Sequence, residues 1–154
     1  MSYKELREKI LAFPGKECGA GATTEEISYA ETSLKTTFPE SYRQFLQEFG
    51  WAGFAHEELY GLGSDVPFYL ELVRNTNAER NQMRPSLLPY LVPLMNDGFG
   101  NHYCLDTRMM RKSECPVVFW NHELGEDQHL ELVSDTFDTW LSDMLARLLE
   151  TLAE

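Results

Sequence analysis

Four histidines and two aspartates are the residues of this 154-residue chain that are considered for catalysis or metal binding. Asp97 and Asp106 flank a predicted reversal of the chain, where their carboxylates could approach one another, and His122 follows in Trp-Asn-His-Glu. A histidine beside paired carboxylates suits acid–base catalysis, so a hydrolase using these three groups is one hypothesis. The other reading is that Asp97 caps its turn and Asp106 ends its strand by bonding nearby backbone.

Metal binding and cofactor binding are not predicted. The histidines, at positions 56, 102, 122 and 129, are too scattered for one metal site. The stretch Gly15-Lys16 with Gly19-Ala20-Gly21 lacks the spacing of a phosphate-binding loop, and no strand precedes it. The three cysteines (Cys18, Cys104, Cys115) are odd in number and lack C-x-x-C spacing, which excludes a disulfide framework or zinc site of the usual pattern. Two of them, Cys104 and Cys115, are predicted to be buried. We therefore expect no catalytic residue, no metal and no cofactor.

Charge points to a protein partner. The chain has 25 Asp and Glu against 13 Lys and Arg, a net charge of -12. Such a field repels nucleic acid and anionic lipid and attracts cations. From residue 113 onward there are ten acids and a single base, Arg147. We expect an acidic face that binds a protein with a basic surface, and no direct contact with nucleic acid or membrane.

The predicted partner-binding residues lie mostly after the last strand of the central stretch. Side chains of a loop are free to reach a partner, which favours Glu123, Glu126 and Asp127, with Glu131 beyond them. Trp51 is the aromatic candidate, although a core position is favoured over an interface position, because most large aromatic side chains are substantially buried.

The stretch Val92 to Trp120 must position most of these groups. It predicts three short strands: one from Val92, a reversal over 96–101 with two glycines, one over 102–105, and one over 116–120. Residues 129–133 alternate in polarity and predict another strand. Within the third strand, Val117 and Phe119 are expected on one face of the sheet, and Val118 and Trp120 on the other.

Helical periodicity accounts for much of the rest. A helix is predicted over 3–13, another after a capping box at Thr23–Glu26, and a third ending at Gly50 as a left-handed cap. Residues 67–83 predict one helix, and 16–22 a loop. A turn and a short strand are expected over 51–63. The last helix, capped by Ser134 or Asp135, carries an apolar stripe from Phe137 to Leu152 with Asp138 on the opposite face. With no linker, no signal core and no apolar membrane-length run, residues 1–154 predict a single cytoplasmic domain.

Five segments, taken in chain order, resemble the sequence signatures of the SUKH superfamily, in the branch that includes the yeast cell-wall assembly regulator. Residues 38–46 and 49–53 (FPESYRQFL, FGWAG) are similar to its LPxxYxxFL…GG signature. Residues 100–106, 115–122 and 135–141 (GNHYCLD, CPVVFWNH, DTFDTWL) resemble its strand pair, its next strand and its closing helix. The similarity spans about residues 20–148. Phe38 replaces the usual Leu, and Trp51-Ala52 interrupts the usual Gly-Gly.

The resemblance implies an α+β fold, a twisted, largely antiparallel sheet flanked by helices. It implies a non-enzymatic immunity protein that neutralises a cognate toxin, often a nuclease, of a polymorphic or contact-dependent system. A regulatory or scaffold protein of the same fold is the alternative. The family has no catalytic residues to transfer to this sequence.

Overall fold

The computed structural model describes residues 2–125 and 129–154, which form an α+β domain with five α-helices and two antiparallel sheets. The larger sheet has the order β4-β5-β6-β7. Its strands are β4 (Leu91–Asn96), β5 (His102–Asp106), β6 (Val117–Trp120) and β7 (Glu131–Ser134). The predicted strands of this stretch are confirmed. Gly98 and Gly100, each with a φ of 91°, make the predicted reversal between β4 and β5.

The two faces of the larger sheet pack as the alternation of β6 predicts. Val117 belongs to the main hydrophobic core. Val118 and Trp120 belong to a smaller core on the other face, together with Leu91 and Cys104. Phe119 points to the side of Val117 and contacts Tyr103, with 5.1 Å between ring centroids.

A second, three-stranded sheet was not predicted as such. It consists of β1 (Glu17–Cys18), β2 (Ala52–Phe54) and β3 (Glu57–Leu59) in that order. The loop predicted over 16–22 therefore contains a strand, and the turn and short strand predicted over 51–63 form a tight hairpin. Strands of two or three residues, one of them Ala-Gly-Phe, carry too little β-branched character to be recognised in a sequence.

The helices are α1 (Tyr3–Ala12), α2 (Thr24–Leu34), α3 (Glu40–Glu48), α4 (Leu72–Asn81) and α5 (Phe137–Ala153). The capping box before α2 is confirmed, since Thr23 and Glu26 bond each other's backbone N–H. The single helix predicted over 67–83 is wrong. A 3-10 turn (Phe68–Leu70) precedes Glu71, which has extended backbone and accepts hydrogen bonds from the N–H groups of Val73 and Arg74. Glu71 thus begins α4 anew.

The last helix starts later than predicted. Its cap is Thr136, whose hydroxyl accepts from the Thr139 N–H, and not Ser134 or Asp135. Asp138, expected on the polar face, is only 8% exposed, and its carboxylate accepts hydrogen bonds from the Thr136 hydroxyl at 2.5 Å and the Thr139 N–H at 3.0 Å. The apolar stripe packs into the main core as far as Met144 and Leu145, while Leu149 and Leu152 are exposed. Across the described residues, none of the helices combines the length and apolar character that crossing a membrane requires.

Candidate functional site: an acidic aromatic groove

The structure separates the three groups of the hydrolase hypothesis. Asp97 lies in the turn before β5 and Asp106 ends that strand, so five strand residues hold the carboxylates about 15 Å apart. Asp97 accepts hydrogen bonds from the Phe99 N–H at 2.8 Å and from the Asn101 N–H at 3.1 Å. Asp106 bonds the Arg108 N–H and its guanidinium. Both aspartates cap backbone, and the catalytic pairing is wrong.

The histidines of the central stretch have structural partners. Nδ1 of His122 lies 2.7 Å from Oδ1 of Asn101, and that oxygen also accepts the His122 N–H. His102 is buried, with Nε2 3.1 Å from the Tyr60 hydroxyl. Burial lowers the pKa of His102 to about 4, so its ring is neutral near pH 7. Residues 2–125 and 129–154 contain no cluster of three or more His, Cys, Asp or Glu that could hold a metal ion.

The predicted partner-binding residues that the structure describes lie in three different segments of the fold, and their role in binding stays a prediction. Glu123 is exposed in a 3-10 turn (His122–Leu124), and Glu131 is exposed at the start of β7. Trp51 lies by the smaller sheet, where its indole N–H donates to Asp65 at 3.2 Å and its ring covers Gly19. Glu126 and Asp127 lie outside the described residues. Of the described candidates, Glu131 alone borders the groove that follows.

The acidic aromatic groove runs along one side of the molecule as three adjoining depressions. The first, about 360 Å³, lies between the β2–β3 hairpin and the turn after β4. The second, about 280 Å³, lies between that turn and α5, and the two share Glu57 and Asp97. The third, about 390 Å³, extends to β7 and shares Tyr103 with the second. The groove is defined by eight residues, namely Glu57, Glu58, Tyr69, Asp97, Tyr103, Phe119, Glu131 and Trp140.

Different elements supply the groove's carboxylates. The β2–β3 hairpin provides Glu57 and Glu58, because its turn at Ala55-His56 leaves both side chains at the end of the sheet. The hydrogen bonds that close the 97–101 turn hold Asp97 at the groove floor. The start of β7 provides Glu131 opposite Phe119. No single stretch of sequence therefore reveals the cluster.

The pKa of Tyr103, at the centre of the groove, is shifted by these carboxylates. Burial raises its pKa, the carboxylate of Asp97 raises it further, and Arg147 opposes them. Glu57 and Glu131 also raise the Tyr103 pKa. At the outer end, the Tyr69 hydroxyl donates to Glu58 at 2.6 Å, which raises the pKa of Tyr69. Carboxylates from three elements thus act on one aromatic surface.

Aromatic rings provide the groove's apolar contact area. Tyr103 packs between Phe119 and Trp140, with a ring-centroid distance of 5.8 Å to Trp140. Beyond the groove proper, Phe68 and Phe99 are 71% and 81% exposed. Carboxylates beside aromatic faces suit Lys and Arg side chains, through ion pairs and cation–π contact. This arrangement favours binding of a cationic surface.

Comparison with known proteins gives a family and a fold. The model of a SUKH family described as SMI1-KNR4 cell-wall matches residues 3–146. The SPbeta prophage-derived uncharacterized protein YokK of Bacillus subtilis is 19% identical over 181 residues, covering 97% of this chain and 90% of that protein. A crystal structure of a protein from Pseudomonas syringae pv. tomato superposes with a TM-score of 0.57 at 16% identity. The match covers 82% of this chain and 85% of that one.

Proposed function

The chain belongs to the SUKH family described as SMI1-KNR4 cell-wall, and we propose from this membership that it is an immunity protein that binds and neutralises a cognate toxin. The family is generally non-catalytic and includes toxin immunity proteins. The proposed protein acts by occlusion and carries out no chemistry.

The acidic aromatic groove is the observation that carries this proposal. A nuclease grips its substrate with Lys and Arg at the positions of the phosphates. A protein that blocks such a cleft benefits from carboxylates in those positions and from rings that fill the space between them. Glu57, Asp97 and Glu131 supply the carboxylates around Tyr103. Complementary fields raise the association rate, and this gain falls with salt.

The test begins with the genes beside this one, where the absence of a toxin gene would count against immunity, and continues with co-expression of this chain and the toxin domain found there. We expect the wild-type chain to protect cells, and the double variant Glu57→Lys plus Glu131→Lys to protect them poorly. The variant should associate with the purified toxin domain roughly tenfold more slowly at low salt, since two charges change sign and the local charge becomes four units more positive. Glu131 is exposed and the Glu57 side chain is 25% exposed, so thermal melting of the variant checks that it folds.

The matched control is Glu8→Lys plus Glu25→Lys, which changes the net charge equally on α1 and α2. Full protection by the control with loss in the groove variant supports the groove. Equal loss in both would mean that only total charge matters. A third variant, Glu126→Lys plus Asp127→Lys, tests the loop favoured by the sequence. Toxicity unrelieved by the wild-type chain would reject immunity and favour the regulatory alternative.

A further inference from the structure

Strand β7 is the open edge of the larger sheet. It pairs with β6 on one side, and no described residue pairs with its other side. The opposite edge is covered: the Tyr60 N–H donates to the Leu94 carbonyl at 2.9 Å, and the Arg80 guanidinium donates to the Leu91 carbonyl at 3.0 Å. One edge of the sheet is therefore closed by the fold, and the other still offers backbone groups.

The open edge is apolar. Leu132 is 62% exposed and Val133 is 40% exposed. Natural edge strands are usually protected by inward-pointing charge, proline or a covering segment. Here the protection is slight, since Glu131 is the only charged residue of the strand. The edge also borders the third depression of the groove, which Tyr103 and Phe119 line from the other side.

We propose that the partner binds by adding an extended cationic segment to the free edge of β7, as a fifth strand of the larger sheet. This inference rests on the proposed function and specifies how its partner docks. Strand addition takes affinity from main-chain hydrogen bonds and specificity from alternate side chains. The outer edge of β7 provides the first, and the groove provides the second.

The sheet dictates the side-chain pattern of that segment. Glu131 pairs with Phe119 and lies on the groove face, whereas Leu132 pairs with Val118 and lies on the opposite face. Every second residue of an added strand would face Glu131 and the aromatic rings, where Lys or Arg fits. The intervening residues would face Leu132, where an apolar residue fits. The preferred segment therefore alternates cationic and apolar residues.

A second copy of this chain is a poorer occupant. Two molecules that each carry a charge of -12 repel one another. Pairing four residues of β7 with the same four residues buries far less than the roughly 1,200 Å² of a standard stable interface. A cationic segment avoids the repulsion, because it neutralises the carboxylates as it pairs, and its long side chains add contact area in the adjoining groove.

The test uses a labelled peptide of four Lys-Val repeats, blocked at both ends. A second peptide has the same sequence with N-methyl groups on every second residue, which keeps the charge and removes the N–H donors of one edge. We expect the methylated peptide to bind at least about tenfold more weakly at low salt, because the ladder cannot form. Hydrogen exchange at 131–134 should slow with the first peptide only.

Two leucine variants locate the site on the protein. Leu132→Lys replaces the apolar side chain that would face the peptide's valines with a charged one, as protected edge strands do, and should weaken binding of the first peptide at least about fivefold. Leu152→Lys, at a leucine 53% exposed on α5, is the matched control and should change affinity less than about twofold. Thermal melting of both variants checks that folding is intact.

Three results would overturn strand addition. Equal affinity for the two peptides would mean capture by charge alone, which leaves the proposed function standing. Failure of the first peptide to bind at low salt would exclude a general cationic strand, again independently of protection in cells. A dimer of the chain that Leu132→Lys dissociates would mean that β7 pairs with its own copy.

Discussion

The two ends of β5 differ in how their carboxylates are paired with basic side chains. At the Asp97 end lies the acidic aromatic groove, where Arg147 and His56 are the cationic candidates among its lining residues. At the other end, the Asp106 carboxylate is paired with the Arg108 guanidinium at 3.1 Å. Beyond it is a polar cleft of about 870 Å³, whose linings include Lys35, five hydroxyl side chains and the Arg43 side chain. Arg111 and Lys112 follow that end along the chain.

This contrast shows that the fold distributes the charged residues unevenly over the surface. A net charge of -12 spread evenly would attract cations to every surface. The four carboxylates that line the groove (Glu57, Glu58, Asp97 and Glu131) outnumber its two basic side chains, Arg147 and His56, whereas several bases gather at the Asp106 end. Composition therefore predicts the sign of the field, whereas the topology of the sheet decides where a cationic partner meets it.

The largest effect is expected from the core that both ends share. Leu145 is fully buried in the main core, and Leu145→Ala should lower the free energy of unfolding by about 2–5 kcal/mol, as buried leucine truncations do. If the two ends differ only at their surfaces, tryptophan fluorescence and far-UV circular dichroism should give coincident denaturation curves. Leu152→Ala, on the exposed end of α5, should stay within about 0.5 kcal/mol. An unchanged midpoint for Leu145→Ala would mean that α5 does not support the sheet.

A smaller effect separates the two ends by pH. His102 lies beneath the acidic end, and burial lowers its pKa to about 4 from an ordinary value near 6.5. Between these two values the unfolded chain binds a proton that the folded chain does not, so lowering the pH favours unfolding. Protonation of His102 in the unfolded chain should lower the free energy of unfolding by about 3 kcal/mol as the pH falls from 7 to 4.

The measurement is urea denaturation at several pH values. Subtracting the His102→Gln curve from the wild-type curve isolates this contribution, which should be near zero above pH 7 and grow below pH 6.5. His56→Gln is the control, because that ring is exposed at the tip of the β2–β3 hairpin. If the stability of wild type and that of His102→Gln change with pH in parallel, then His102 takes up its proton equally in the folded and unfolded states, and its pKa is not lowered by folding.

The sequence predicted the larger sheet because its signals are local. Strand β6 is a run of β-branched and aromatic residues, and Gly98 and Gly100 supply the positive φ that the preceding turn requires. The same holds for α2, whose capping box consists of residues three apart. The prediction failed where few residues carry a recognisable pattern, as in the two-residue strand β1 and at the helix break before Glu71.

The groove lay beyond sequence reasoning for a related reason. Its carboxylates come from positions 57, 58, 97 and 131, which only the folded sheet and hairpin bring together. Counting acids along the chain directed attention to residues 123–131, of which Glu131 borders the groove. A search for isolated acids beside predicted strand ends, with an aromatic residue at the adjoining strand position, would have raised Asp97 and Tyr103.

The smallest effect should come from the basic end. Lys35→Gln plus Arg111→Gln removes two positive charges there and makes the net charge more negative, which by composition alone would favour a cationic peptide. If only nearby charges matter, the association rate of the Lys-Val peptide should rise less than about twofold at 0.15 M salt, because the Debye length of about 8 Å is shorter than the extent of β5.

Glu57→Lys plus Glu131→Lys, in the groove itself, should slow the same association roughly tenfold at low salt. Stopped-flow mixing at two salt concentrations measures both. Opposite changes in proportion to the two and four units of charge that the variants alter would mean that total charge governs encounter, and the contrast along β5 would then have no role in binding.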